Sequence, residues 1–246
     1  MTPVRWLLMR AAEVPEGSFW LDPDESEHAA RLRLPTRHAD YRLGRWTAKR
    51  AVALWLGRDP DPAGLCRIAI RPAPDGAPAV FLDNAPAPLA ISFSHRAGHA
   101  ACAVAPAGTA LGCDLELIEP RSPAFVQDYF TDTERKLVEA ADEAGRPLLA
   151  NLIWSAKESA LKALREGLRM DPREVEVSLG PKEENGWRPL TVHRVLTGQV
   201  FHGWWRREGD FVLTVAAAPP PGPPLPAGDG GLARYLEVGT LSPAGR

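Results

Sequence analysis

Trp154-Ser155-Ala156-Lys157-Glu158-Ser159 repeats, with small changes, Trp46-Thr47-Ala48-Lys49-Arg50-Ala51. Each copy is followed by an Asp-Pro pair, Asp61-Pro62 or Asp171-Pro172, and then by an alternating pattern, RIAIR at 67–71 or VEVSL at 175–179. Further along, HAACAVAPAG from His99 echoes DFVLTVAAAP from Asp210. The same order of elements after the same hexapeptide predicts a duplicated unit. The expected fold class is α+β: two similar α/β halves related by a pseudo-twofold axis, with the active site in the cleft between them. The halves are expected at 1–110 and 111–218. Residues 219–246 read as a mobile Pro/Gly-rich tail, in which LARYLEV at 232–238 is a candidate segment for docking back onto the body.

The remaining pattern fits that frame. A short apolar run from Trp6 to Met9 reads as an opening strand, and a helical period runs from Arg37 to Gly57. Strand patterns follow at LCRIAIRP (65–72) and 79–82, and ISFSHRAG, HAACAVAP and ALGCDLEL read as a series of hairpin strands between 91 and 117. The pattern is helical from Pro123 to Leu168, and strands return in VEVSL, LTVHRVL, QVFHGWWRR and DFVLTVAAA.

Composition narrows the function classes. The chain has 246 residues, enough for a sizeable core. A net charge of −2 makes no electrostatic case for a nucleic-acid or membrane-surface binder, so neither partner is expected. Cys66, Cys102 and Cys113 are odd in number and lack CxxC spacing, which points to neither a disulfide framework nor a zinc site. The first apolar run is too short for a signal-peptide core or a membrane span, and a cytoplasmic location is expected.

The chemistry is concentrated in a few acids. In GCDLELIEP (112–120), Asp114 and Glu116 are two apart within an apolar run; on a strand both carboxylates face one side. An exposed strand face is the plain alternative. On the helical stretch, Glu158 shares a stripe with Trp154 and Leu161, while Lys162 stands one turn beyond it. Glu158 and Lys162 could form a surface salt bridge, but the Trp154 stripe argues for an inward carboxylate that needs a cation or a donor. Asp114, Glu116 and Glu158 together are oxygen ligands of the kind Mg²⁺ takes. Lys157 and Lys162, with Ser94 and His95 of FSHRAG, suit phosphate oxygens.

In order and spacing, ISFSHRAG, LGCDLE and WSAKESALKA closely resemble the 4′-phosphopantetheinyl transferases. The resemblance is to the long, pseudo-dimeric surfactin-synthetase-activator class, not to the short trimeric holo-carrier-protein synthases. It implies transfer of the phosphopantetheine arm of coenzyme A to a serine of an acyl or peptidyl carrier protein, with release of adenosine 3′,5′-bisphosphate. It also implies a monomer and, from the broad-substrate class, a role in secondary metabolism. Residue by residue, it implies Asp114, Glu116 and Glu158 as ligands of Mg²⁺, with Mn²⁺ as the alternative metal. Lys157 and Lys162 would lie by the pyrophosphate and the transferred phosphate, and Ser94 and His95 would contact the coenzyme's phosphates. Glu134 in YFTDTERKL matches a glutamate proposed as the base, so Glu158 and Glu134 are both candidates for that role. Arg42, Arg45 and Lys49, spaced to share a helical face, match a basic helix near the 3′-phosphate. Apolar residues around Phe125 to Phe130 are expected to receive the carrier. One departure is plain: the family commonly has Gly-Lys-Pro where this chain has Gly76-Ala77-Pro78, and Arg71 is the candidate to replace the missing charge. Two other readings remain, a Mg²⁺-dependent phosphohydrolase and a catalytically silent coenzyme A or carrier-protein binding module.

Overall fold

The computed structural model of the protein describes residues 1–166 and 169–228. It is a mixed α+β structure in which two sheets pack face to face and each carries a long helix on its outer side. The first sheet has the order β12-β1-β6-β5, with β1 at Arg5–Arg10, β5 at Leu89–Arg96, β6 at His99–Pro106 and β12 at Leu225–Pro226. The second has the order β7-β11-β10-β9-β8, with β7 at Ala110–Leu117, β8 at Val175–Leu179, β9 at Arg188–Arg194, β10 at Val200–Glu208 and β11 at Phe211–Ala218. A small third sheet joins β2 (Ile68–Pro72), β3 (Pro78–Leu82) and β4 (Ala85–Pro86).

Alternation in β6 makes the layers possible. Ala101, Ala103 and Ala105 face the second sheet and meet Leu111, Cys113, Leu115, Leu213 and Val215 in one buried cluster. The other face of β6, Ala100, Cys102 and Val104, meets Trp46, Val52 and Ala53 of α2, the helix at Pro35–Trp55. Alanine on a strand sets no bulk between the sheets, so the layers approach closely. α6, at Arg146–Ala163, covers β7 and β11 on the opposite side, with Ala156, Ala160 and Leu161 in the core. Two shorter helices, α4 (Pro123–Tyr129) and α5 (Asp132–Ala140), lead into α6.

The structure departs from the expected elements in three places. ALGCDLEL does not continue the β5–β6 hairpin: β7 crosses to the second sheet and pairs antiparallel with β11, Asp114 opposite Thr214. Its inward residues Cys113 and Leu115 belong to the core between the sheets, and pairing with β6 would remove them from it. Second, the first part of the tail runs along β1 instead of leaving the body. Leu225 and Ala227 donate their N–H groups to Val4 O and Trp6 O, at 3.0 and 2.8 Å. Pro224 and Pro226 fall on the alternate positions, where an edge strand needs no donor. The LARYLEV segment lies outside the described residues. Third, a helix absent from the expected pattern, α1 at Pro23–Arg31, packs near α2. Asp22 caps it, Pro23 opens it and Glu25 closes a capping box, a signature legible in the sequence. Among the described residues no helix is long and apolar enough to cross a membrane.

Candidate active site

Gly112 decides how close α6 comes to β7. A Cβ there would lie 1.7 Å from the carbonyl oxygen of Ser159, so only glycine admits the contact. The helix is pinned at this crossing by hydroxyls: Ser155 and Ser159 reach the Thr214 hydroxyl at 2.8 and 2.7 Å, and Thr214 donates to Ser155 O at 2.9 Å. Thr214 stands opposite Asp114 in the ladder, so the same crossing carries Lys162, one helical turn past Glu158, onto Asp114.

Three separate stretches therefore meet on one carboxylate. Asp114 Oδ1 accepts Lys162 Nζ at 2.7 Å and Ser94 Oγ of β5 at 2.9 Å. Lys162 also donates to Cys113 O at 3.0 Å. The second oxygen, Asp114 Oδ2, is buried and has no hydrogen-bond partner. A buried acceptor left open costs free energy unless a donor or a cation meets it. Glu116 is held by Arg121 at 2.8 Å and lies 3.9 Å from Arg96. Arg121 is itself fixed by Asn151 Oδ1 at 2.7 Å and stacks over Phe125 at 4.7 Å.

The crowding of acids shows in their protonation. Burial first, and then the Asp114 and Glu116 charges, push Glu158 up to about 7, with Lys162 opposing. Burial and Asp114 also raise Glu116 against the pull of Arg121 and Arg96. Burial alone would lower the Lys162 ammonium, but Asp114 and Glu158 outweigh it and hold its pKa above the ordinary value. Like charges driven together in this way take up a proton or attract a cation.

The donor set fits a hard divalent cation: it is all carboxylate oxygen, negative in sum, and includes the open, buried Asp114 Oδ2. Among the described residues, however, no three acids, histidines or cysteines are grouped closely enough to hold an ion as they stand. Glu116 is turned to Arg121.

Several residues expected at the cluster lie elsewhere. Lys157 and Glu134 are fully buried against each other, Nζ to Oε2 at 2.7 Å. Lys157 also donates to Pro172 O and Val175 O, at 2.8 and 2.5 Å, and Glu134 accepts the N–H groups of Val177 and Thr131 at 2.8 Å each. Every polar atom of the pair is engaged inside the protein, so neither residue reaches a phosphate or a serine. Burial outweighs Glu134 and lowers the Lys157 pKa. Lys49 repeats this arrangement. It is fully buried, paired with Glu25, and donates to Trp20 O and Leu65 O at 3.1 and 3.3 Å, while Glu25 accepts the Ile70 N–H at 2.9 Å. Arg42, Arg45 and Lys49 do share a face, but it turns toward α1: Arg42 stacks on Trp20, and Arg45 lies 3.5 Å from Glu25 with its guanidinium over Tyr41 and Phe93. His95 points away from Asp114, as the next residue on a strand must, and stands 3.9 Å from Asp40. Arg71 is tied to Asp22, Asn84 and Asp24 at 3.0, 3.0 and 3.2 Å, so it does not replace the charge missing at Ala77.

A cleft of about 750 Å³ lies beside the cluster and shares Lys162 with it. β3 and β5 run side by side without pairing, and the gap between Pro78–Phe81 and Leu89–Phe93 is its base. Gly76 and Ala77 of the β2–β3 turn line it, as do Lys162, Arg165 and Arg169 at and beyond the end of α6. Arg121 and Arg169 escape sequence reasoning because they sit outside any periodic element, and Arg165 because nothing in the helical stretch marks it apart from its neighbours. Glu25 was legible as a capping-box residue.

Residues 110–216 match the model of the family described as the 4′-phosphopantetheinyl transferase superfamily. The matched stretch contains Asp114, Glu116, Glu158 and Lys162 and excludes Ser94 and α2. No curated protein matches the chain.

Proposed function

We propose that this chain transfers the 4′-phosphopantetheine arm of coenzyme A to a serine of an acyl or peptidyl carrier protein. The observation that carries this reading is the convergence of Ser94 and Lys162 on Asp114, whose Oδ2 is buried and open, with Lys162 also lining a cleft of nucleotide size. The family match over 110–216 supports the same chemistry.

Asp114, Glu116 and Glu158 would hold Mg²⁺, or Mn²⁺ in its place. When bound, the metal would supply charge neutralisation to a pyrophosphate under attack. Lys162 stabilises the phosphoryl oxygens from the α6 side, and Ser94 orients Asp114. The carrier serine Oγ bonds to the phosphorus of the pantetheine phosphate, the bond from that phosphorus to the bridging oxygen breaks, and adenosine 3′,5′-bisphosphate leaves. Glu158, the half-buried acid at the cluster, accepts the serine proton directly or through water. Glu134 is unsuited to this role, since its oxygens are filled by main-chain N–H groups and Lys157.

On the same footing, we propose that the chain is built of two similar halves. The strand succession β1-β6-β5 beside β3-β2 parallels β7-β11-β10-β9-β8, and the pairs Lys49–Glu25 and Lys157–Glu134 occupy matching places. One working cleft then arises because β3 and β5 part where β9 and β10 remain paired. A monomer follows from this reading.

Phe125, Tyr129 and Trp154 form an aromatic cluster with ring centroids 5.0–5.2 Å apart, on the α4–α6 side that carries Glu158. Such a surface favours a protein acceptor over water, and so a transferase over a phosphohydrolase. The test is incubation with coenzyme A, Mg²⁺ and an apo carrier protein, read by intact mass. Wild type should add the phosphopantetheine mass and Asp114→Ala should not, while still folding. Hydrolysis of coenzyme A with no modified carrier would favour the phosphohydrolase, and binding without either reaction would favour a silent module.

A further inference from the structure

One contact joins two stretches that line the cleft. Arg165, just past the end of α6, donates from Nη1 to Asp75 Oδ2 at 2.8 Å, across 90 residues of sequence. The carboxylate is aimed: Asp75 Oδ1 accepts the Ala77 N–H at 3.0 Å, in a turn closed by Gly76 N–H to Ala73 O at 2.8 Å. Arg165 takes the left-handed position that closes the helix end, with φ 61° and the Glu166 N–H bonded to Leu161 O at 3.1 Å. Its N–H bonds Lys162 O at 3.0 Å, and Arg169 Nη2 caps its carbonyl at 2.5 Å.

The three cations of the cleft wall are held differently. Lys162 is bound to the buried Asp114, and Arg169 to main-chain oxygens and, at 3.8 Å, to its helix-end neighbour Glu166. Arg165 is held by a carboxylate that is 35% exposed, and is itself 57% exposed. An ion pair so exposed contributes little to stability and exchanges readily. A guanidinium binds a phosphate through two parallel hydrogen bonds, with more charge than a carboxylate offers.

We propose that the Asp75–Arg165 pair is a latch at the cleft: Asp75 keeps the guanidinium there, and a phosphate of the nucleotide ligand takes its place. Arg165 is then a binding residue, and Asp75 a positioning residue that also competes with the ligand. The inference rests on the coenzyme A reading above. It accounts for a turn that carries no cation at Ala77 and has Arg71 tied elsewhere: the charge comes from beyond the end of α6 instead.

Calorimetric titration of the full chain with coenzyme A and with adenosine 3′,5′-bisphosphate, in Mg²⁺, tests it. Arg165→Gln should weaken both by about tenfold, the scale of one charge-assisted contact. Asp75→Asn should tighten both by about threefold, since an exposed pair is the only competitor removed. In the Arg165→Gln background, Asp75→Asn should give no gain, because nothing remains to be released. All three variants should melt with wild type. A gain from Asp75→Asn that persists without Arg165 would reduce the effect to bulk charge and overturn the latch, as would no gain at all. If wild type bound neither nucleotide, the coenzyme A reading would fail first and the latch with it.

Discussion

Replacing Lys157 by methionine separates a structural lysine from a catalytic one. The ammonium is fully buried, 2.7 Å from Glu134 and bonded to the carbonyls of Pro172 and Val175. Without it, Glu134 is left as a buried carboxylate with only two N–H partners, and two carbonyls lose their donor. Breaking one side of a buried pair costs about 3–5 kcal/mol. For a chain of this length, each kcal/mol moves the melting temperature by about 2–4 °C, so Lys157→Met should melt roughly 6–20 °C below wild type. Lys157→Met with Glu134→Gln removes the stranded charge and should recover part of that loss. Lys49→Met provides the internal comparison, since its pair with Glu25 is equally buried but lies under α1, away from Asp114. The assay is a thermal melt by circular dichroism, with transfer measured at a temperature well below every transition. Both single variants should lose stability by similar amounts and keep transfer while folded. A Lys157→Met protein that melts within about 2 °C of wild type yet has lost transfer would refute the argument and return Lys157 to the chemistry.

Two further outcomes follow from the site. Glu158 is raised to about 7 in the folded protein from an ordinary value of 4.5, so the folded state holds the extra proton and stability falls as pH rises through that window. In chelator-treated protein, Glu158→Gln should therefore melt several degrees above wild type at pH 8, on the order of 3 kcal/mol at most, and no higher at pH 4.5; an equal difference at both pH values would contradict the burial of that charge. Gly112→Ala should destabilise by at least about 1–3 kcal/mol and weaken transfer, because the added carbon meets main-chain atoms of Ser159 that cannot turn aside; a variant with wild-type melting would show that α6 does not rest on β7 as described.

The repeated Trp-(Ser/Thr)-Ala-Lys pattern, the strand and helix periods and the acids of β7 and α6 were all legible in the sequence. Periodicity and local chemistry report which face of an element is apolar, and spacing along one element is short-range information. That is why Asp114 and Glu116 could be assigned to one side of a strand, and Arg42, Arg45 and Lys49 to one face of a helix. What each face meets is a different quantity. The same i, i+7 spacing that suggested a phosphate site put Lys49 under α1 against Glu25, and an equally polar pattern put Lys157 on Glu134. Whether a lysine is solvated, catalytic or sealed in an ion pair depends on residues far along the chain, and no local period encodes them. The cleft has the same origin. Nothing in the β3 and β5 sequences says that these strands stay unpaired while β9 and β10 join, because pairing is settled by the layers packed around them. The approach of α6 to β7 lies between the two cases. Gly112 is visible in the sequence as a residue without a side chain, but only the packed structure shows the Ser159 carbonyl filling the space a Cβ would need.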